Sequence, residues 1–434
     1  MLQALNGDEF LTAECFLFLY QYLAFSVYQY WRVNMIIGLA VGLAVFSVSG
    51  LVALKYRQLK VWSALYWLLA IVGQLFVLPI LIIALGVVFA GWGEFEPVFV
   101  GFIAVLTAAV SLIKQLQVRS MAASYAERLG IATRADFYFT LGDVWRWLLV
   151  LRSRRSGLLV DKHIAYGDLA EQQLDIYRSA AKSELKPILI HIHGGAWVTG
   201  KKGQMGRPLI HDMAAAGWLV VDIEYRLGPV HRYPAMIEDV LRAIAWVKTN
   251  ATAYGGRADF VALTGGSAGG HLTALAGLLK DDVRRDLQHD FADIDTRVQA
   301  IAPFYGRYDF LDRFNIINDP KIRQFMVDKV MPSAPVGLGQ VLWRQASPID
   351  HVGSHLPPCL VVHGSADCMI DQAEAAAFVD AQQALSEAPF HFVSVPGAQH
   401  AFDLGHCPQA DAINKLVLYF LQDCYQRFAT SQVD

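Results

Sequence analysis

Ser267 stands at the centre of Gly265-Gly266-Ser267-Ala268-Gly269. The apolar run Phe260-Val261-Ala262-Leu263 precedes it, and a helix-like stretch from Gly270 to Lys280 follows. A strand, a tight turn and a helix with serine at the apex lift a hydroxyl clear of the backbone. A serine at its free pKa is a weak nucleophile, so it needs a base within reach and a third group to orient that base. Two downstream segments offer these. Cys359 to Asp367 reads as a buried strand ending in a loop that carries a carboxylate, and His391 to Val395 reads as a strand before a loop that carries His400. The chemistry these residues suit is acyl transfer: Ser267 attacks, His400 takes and later returns the proton, and Asp367 holds the imidazole.

Other residues compete for these roles. Asp371 is the fallback acid, and its alternative reading is an N-cap before Gln372-Ala373-Glu374. His363, His391 and His406 are rivals for the base; the first two lie in or beside strands, where a structural role is the simpler expectation.

A tetrahedral intermediate needs backbone N–H donors aimed at its new oxyanion. The strand Pro187 to Ile192 runs into His193-Gly194-Gly195-Ala196-Trp197. Glycines let the backbone approach a substrate with its amides inward, as in the oxyanion loops of lipases and esterases. Gly194, Gly195 and Ala268 are the expected donors. His193 is expected to fix the loop's shape, and Trp197 to pack or to wall the acyl pocket. His191 and His193 have a spacing that can also mark a metal site, but no companion ligand set stands out, and no metal or other cofactor is expected.

Taken in order, His193-Gly194-Gly195-Ala196-Trp197, the Ser267 run, His363-Gly364-Ser365-Ala366-Asp367 and Gly397-Ala398-Gln399-His400-Ala401-Phe402 resemble the hormone-sensitive-lipase-like carboxylesterases. Tyr225-Arg226-Leu227-Gly228-Pro229, Tyr233-Pro234-Ala235 with Asp239, and Ala253-Tyr254-Gly255-Gly256 agree with that likeness. The pattern is similar to the membrane-anchored branch around isoprenylcysteine methylesterase and kynurenine formamidase. The resemblance covers about residues 160 to 430. It implies an α/β-hydrolase fold, carboxylic-ester hydrolysis through an acyl-enzyme, and a structural role for Asp239. Ala196 stands where many members carry a third loop glycine, which is associated with room for bulky alcohols, so the resemblance implies a narrower alcohol tolerance here.

The elements that must position these groups occupy only the later part of the chain. The 434 residues are 55% hydrophobic and 17% charged, with the apolar excess before residue 115. Three stretches read as membrane spans: Val33 to Leu54, Val61 to Ala90 interrupted by Gln74 and Pro79, and Val98 to Ile113 extended by Lys114. Phe10 to Trp31 contains Glu14 and reads as interfacial or as the start of a bent helix, with four spans as the alternative. No cationic region precedes Arg32, so no cleavable signal peptide is expected. Lys55, Arg57 and Lys60, and later Lys114, Arg119 and Arg128, flank a base-free loop, which predicts a cytoplasmic catalytic domain. Five cysteines without a CxxC pair suit reduced thiols. A net charge of −3 without a long basic run excludes a nucleic-acid partner.

The expected organisation is a membrane domain over 1–118, a connector over 119–157 and a catalytic domain over 158–434. Asp143 to Leu151 reads as amphipathic, and the basic cluster after it reads equally as a contact with anionic lipid or as a solvated linker. From Leu158 strands and helices alternate, predicting a mainly parallel sheet with helices on both faces and an antiparallel start. The alternation breaks over 304–346, where an aromatic insertion opens with Phe304 and Tyr305; a cap that contributes to the substrate pocket is the leading expectation, with a purely structural excursion as the alternative. The leading expectation is a membrane-anchored serine carboxylesterase for small-molecule or lipid esters. An acyltransferase using the same acyl-enzyme and a catalytically silent membrane scaffold are the alternatives.

Overall fold

The computed structural model describes residues 63–90, 95–152, 157–180, 185–354, 356–385 and 388–432. The expected span Val33 to Leu54, the stretch Phe10 to Trp31, residues 91–94 of the expected loop between spans, Cys15 and the bases Arg154 and Arg155 lie outside the described residues.

Strands β1 (Leu158–Ala165), β2 (Gln173–Ser179), β3 (Lys186–Ile192), β4 (Leu219–Ile223), β5 (Gly256–Gly266), β6 (Ala300–Phe304), β7 (Cys359–Gly364) and β8 (Phe390–Val395) form one sheet. Their order is β1-β2-β4-β3-β5-β6-β7-β8. β1 pairs with β2, and β2 with β4, antiparallel; all later pairings are parallel. This matches the alternation read from the sequence, including the antiparallel start.

Helices α1 (Ser63–Leu75), α2 (Val77–Ala90), α3 (Phe95–Leu129) and α4 (Leu141–Leu148) precede the sheet. Within it, α5 (Arg207–Ala215) follows β3, α6 (Ala235–Asn250) follows β4, and α7 (Ala268–Leu278) and α8 (Asp281–Gln288) follow β5. The insertion carries α9 (Pro320–Phe325) and α10 (Leu338–Gln345). Helices α11 (Gln372–Gln383) and α12 (Pro408–Ser431) follow β7 and β8.

Alternation along each strand feeds two cores. On β3, Ile188, Ile190 and Ile192 pack with α6, α7 and α11 on one face, while Leu189 packs with α5 and α12 on the other. Both faces of the central strands are covered, which is why they read as continuous apolar runs. Each fully buried aliphatic side chain contributes ~1.5–3 kcal/mol.

The stretch expected as one span over 61–90 is two helices in different surroundings. Pro79 has no N–H and its ring crowds the carbonyl four residues back, which is Leu75, where α1 ends. From α1, Ile71 and Leu75 enter the same core as α5 and α12. Helix α2 instead pairs with the first half of α3 through Ile80, Ala84, Val87, Ala104 and Ala108, a separate small cluster.

The third expected span does not end at Ile113. α3 continues, and its later residues Val118, Ala122, Ala123 and Ala126 pack into the core between the sheet, α5 and α12. No helix boundary falls at residue 118. Lys114, Gln115, Gln117 and Arg119 mark a change of environment within one helix. Among the described residues one helix, Gly101–Leu129, is long and apolar enough to cross a membrane.

Candidate active site

The bend at Ser267 comes from the sequence on either side of it. β5 runs to Gly266 and α7 begins at Ala268, leaving Ser267 at φ 59°, ψ −119°. A non-glycine residue in such a conformation costs ~1–3 kcal/mol and persists only when its neighbours fix it. Here the Ser267 N–H donates to the Phe304 carbonyl (3.0 Å), and the His271 N–H donates to the Ser267 carbonyl (2.9 Å). The flanking glycines are required by space. A Cβ on Gly265 would lie 2.4 Å, and one on Gly269 1.9 Å, from the Ile192 carbonyl oxygen.

Three residues distant in sequence meet at this turn. The Ser267 hydroxyl lies 2.9 Å from His400 Nε2, and His400 Nδ1 lies 2.7 Å from Asp367 Oδ2. Asp367 is fully buried. Its Oδ1 accepts the N–H groups of Met369 (2.9 Å) and Ile370 (2.8 Å), and His363 Nε2 lies 3.2 Å from Oδ2. Burial alone would raise its pKa, but His400 and His363 outweigh that and hold the carboxyl well below the ordinary carboxylate range. An ionised Asp367 can only accept, so His400 carries its proton on Nδ1 and turns the Nε2 lone pair to the serine.

The rival residues lie elsewhere. His363 sits behind the acid, also bonded to the Ile370 carbonyl (3.0 Å). Asp371 caps α11 by accepting the Ala373 N–H (2.7 Å). His406 pairs with Asp411 at 2.7 Å. The His391 ring packs edge-on against Tyr125 and Phe420. Asp239 is buried and binds Gln172 and Arg226.

The glycine loop after β3 lies against the elbow. A Cβ on Gly194 would lie 2.7 Å from the Gly266 carbonyl oxygen; Gly195 adopts φ +125°, and a Cβ there would lie 2.0 Å from the Thr199 carbonyl oxygen. His193 is buried, and burial lowers its pKa. Its Nδ1 lies 2.7 Å from the Gly194 carbonyl oxygen, and its ring stacks on Tyr225 with centroids 4.4 Å apart. Both contacts serve loop shape. Ala268 is the first residue of α7, so its N–H has no acceptor within the helix and lies at the positive end of the helix dipole. An anionic oxygen is stabilised by such a donor.

Phe304 and Tyr305, expected at the substrate pocket, are core residues instead, and Trp197, expected to pack or to wall that pocket, packs. Trp197 is 5% exposed; its indole N–H donates to His271 Nδ1 (3.1 Å), and its ring meets Phe310 edge-on. Phe304 and Tyr305 are each 1% exposed. β6 ends directly beneath the elbow, so the aromatic residues that open the insertion are drawn under it. The Tyr305 hydroxyl donates to Asp403, and its ring centroid lies 4.8 Å from that of His400. Burial, opposed by that bond, raises the Asp403 pKa. The insertion itself contributes Met326, Val330, Met331 and Trp343 to the core. It also lines an open cleft of about 550 Å³ bordered by residues including Arg307, Phe310, Met326 and Trp343; Ser267, Asp367 and His400 are not among the lining residues.

Sequence reasoning missed three supports of the histidine: His363 on the acid, the Tyr305–Asp403 pair, and helix α1. The last had one legible signal, a glutamine within an apolar run. Gln74 is 4% exposed, and its side-chain N–H donates to the Gly397 carbonyl (2.6 Å). Among the described residues no group of three or more His, Cys, Asp or Glu side chains is placed to hold a metal ion.

The BD-FAE family matches residues 174–381. The probable carboxylic ester hydrolase LipM of Mycobacterium tuberculosis (strain ATCC 25618 / H37Rv) is 39% identical over 61% of this chain and 61% of its own length. Esterase LipQ of the same strain is 39% identical over 63% of this chain and 68% of its own. The chain thus spans about three-fifths of LipM and two-thirds of LipQ. Among solved structures, an inhibited esterase B from Lactobacillus rhamnosis aligns with a TM-score of 0.55 at 21% identity, covering 74% of this chain and all of that one, which supports the fold. With the serine elbow, the glycine loop and the LipQ likeness together, the chain belongs to the hormone-sensitive-lipase-like carboxylesterases of the α/β-hydrolase superfamily.

Proposed function

We propose that this protein is a membrane-anchored serine carboxylesterase acting on small-molecule or lipid esters. The observation that carries this reading is the unbroken relay from the Ser267 hydroxyl through His400 to the buried Asp367 carboxylate. In the first half-reaction Ser267 Oγ attacks the ester carbonyl carbon while its proton passes to His400 Nε2. The oxyanion is held by the N–H groups of Gly194, Gly195 and Ala268. As the tetrahedral intermediate collapses, His400 gives the proton to the departing alkoxide, and an acyl-Ser267 ester remains. Water then gives a proton to His400 and attacks the acyl carbon. His400 returns the proton to Ser267, and the carboxylic acid leaves.

The α2–α3 hairpin supports the anchoring part. Its seam is small and apolar, with Ala84, Ala104 and Ala108 at the contact. Its outer surface exposes Ile82, Ile83, Phe99, Phe102 and Leu106. Tyr138, Phe139, Leu141 and Trp145, on and before α4, are also exposed, as suits a membrane interface. Both arms of the hairpin join the hydrolase body, in keeping with the cytoplasmic placement inferred from the bases. A reporter fused after Asp434 that is active only outside the cytoplasm would refute that placement.

Labelling of the full-length protein by a fluorophosphonate, lost in Ser267→Ala, together with turnover of p-nitrophenyl esters, tests the catalytic reading. Labelling without any ester turnover would refute hydrolysis. Ester products in place of free acid when alcohols are added would assign acyl transfer instead.

A further inference from the structure

We infer that Gln74 is a positioning residue for the catalytic histidine, and that helix α1 is therefore part of the active-site framework as well as the lead into the anchor. The inference rests on His400 being the base of the proposed relay.

His400 sits on the short loop after β8, and the backbone polar groups of that loop are held from two sides. From the acid side, the Ser365 hydroxyl accepts the Gly397 N–H (2.8 Å), and the Ala366 N–H donates to the Ala398 carbonyl (3.0 Å). From the other side comes α1. The Gln74 side chain donates to the Gly397 carbonyl (2.6 Å) and accepts the Gln399 N–H (3.1 Å). The Trp67 indole N–H donates to the carbonyl of His400 itself (2.9 Å). Three successive contacts of one helix thus fall on the histidine and the residues just before it.

The Gln74 amide pairs with the loop as a neighbouring strand would. Gly397 offers it only an acceptor and Gln399 only a donor, so one orientation of the side chain satisfies both. The clamp is itself held: the Gln115 side chain of α3 donates to the main-chain carbonyl of Gln74 (2.8 Å), and the surrounding Ile71, Leu75, Ala398 and Ala401 share one core. A glutamine in an otherwise apolar stretch would be costly to bury without such partners. Without it, a half-buried carbonyl at Gly397 and a buried N–H at Gln399 lose their partners beside the base, and the loop is free to move. Nucleophile and base must keep a hydrogen-bonded contact, and a displacement of about 1 Å can cost ~10²-fold in rate.

The test uses the full-length protein in detergent micelles. Gln74→Met keeps length and apolar volume but removes both bonds to the loop, and with them the acceptor for the Gln409 side chain (3.4 Å); Trp67→Phe keeps an aromatic ring but removes the donor to His400. Hydrolysis of a p-nitrophenyl ester is compared with that of the matching ethyl ester, whose poorer leaving group depends more on proton delivery by His400. The expected result for Gln74→Met is a loss in kcat of ~10²-fold with KM unchanged within about twofold. The loss should be larger for the ethyl ester, and the circular dichroism should match the parent's. Trp67→Phe should lose kcat in the same direction by a smaller factor. Folded variants with parental kcat, or a loss that only tracks the folded fraction, would overturn the inference. If Gln74→Met does not fold, Trp67→Phe decides. His400→Ala is run alongside: if it retains ester turnover, the relay itself is wrong, and that failure is distinguishable from parental activity in the Gln74 and Trp67 variants.

Discussion

Asp367→Asn should abolish most of the activity while leaving the fold in place, and the geometry says why. The carboxylate accepts from four directions: Met369 and Ile370 N–H on Oδ1, and His400 and His363 on Oδ2. An amide has one acceptor end and one donor end. With its NH₂ toward Met369 and Ile370, donors would face two fixed backbone donors. The amide oxygen therefore takes the Oδ1 place, and the NH₂ faces His400 Nδ1. His400 must then present a lone pair at Nδ1 and carry its proton on Nε2, 2.9 Å from the Ser267 hydroxyl. The base is lost through the tautomer, with no atom of the relay missing. His363 keeps its alternative acceptor, the Ile370 carbonyl at 3.0 Å.

A wrong-tautomer histidine in a serine relay costs ~10⁴-fold in kcat, or ~5 kcal/mol of transition-state stabilisation. Stability should fall far less, by ~1–3 kcal/mol, because two of the bonds survive and the shape is unchanged. The assay is steady-state hydrolysis of a p-nitrophenyl ester, with urea unfolding run on the same preparation. KM should hold, and the rate of fluorophosphonate labelling should fall in parallel with kcat, because both need the same base. A variant within tenfold of the parent would refute the claim that Asp367 sets the tautomer.

Three further outcomes follow from named contacts. His406→Gln disturbs the pair with Asp411, so stability should drop by ~1–3 kcal/mol while kcat per folded molecule stays within about twofold; a collapse of kcat would make His406 a real contender for the base. Ala196 sits at φ 52° in the glycine loop, so Ala196→Gly relieves ~1 kcal/mol of strain and adds a similar entropy to the unfolded chain. The melting temperature should barely move, while the ratio of tert-butyl to ethyl ester hydrolysis rises roughly tenfold; an unchanged ratio would remove Ala196 from alcohol selection. Burial, opposed by the bond to the Ala346 carbonyl, pushes the His271 pKa down to about 3, against ~6.5 in an unfolded chain. The unfolded chain takes up the proton first, so this contribution to stability is complete above pH ~6.5 and is lost as pH falls towards about 3, by up to ~1.4 kcal/mol per pH unit. Urea midpoints between roughly pH 6 and roughly pH 4 should fall more steeply for the parent than for His271→Gln, and coincident slopes would refute the assignment.

Parts of the site were legible because they depend on short local patterns. The elbow needs Gly265 and Gly269 for reasons of space within a few residues of Ser267. Strand ends carrying Asp367 and His400 follow from alternation alone, since a parallel sheet brings successive strand ends to one edge. What was illegible depended on packing partners far away in sequence. Phe304 and Tyr305 read as pocket residues because an aromatic cluster opens an insertion, yet the bond from the Ser267 N–H to the Phe304 carbonyl draws them beneath the elbow. Hydropathy likewise joined α1 to α2, because an apolar run carries no information about whether lipid or protein will cover it. The side chain that separates the two cases is Gln74. In a lipid-facing helix its amide would be left to solvate itself at a cost of several kcal/mol. Bonded to Gly397 and Gln399, it has a reason to stand in that run, and the same bonds connect the N-terminal helices to the loop that carries His400.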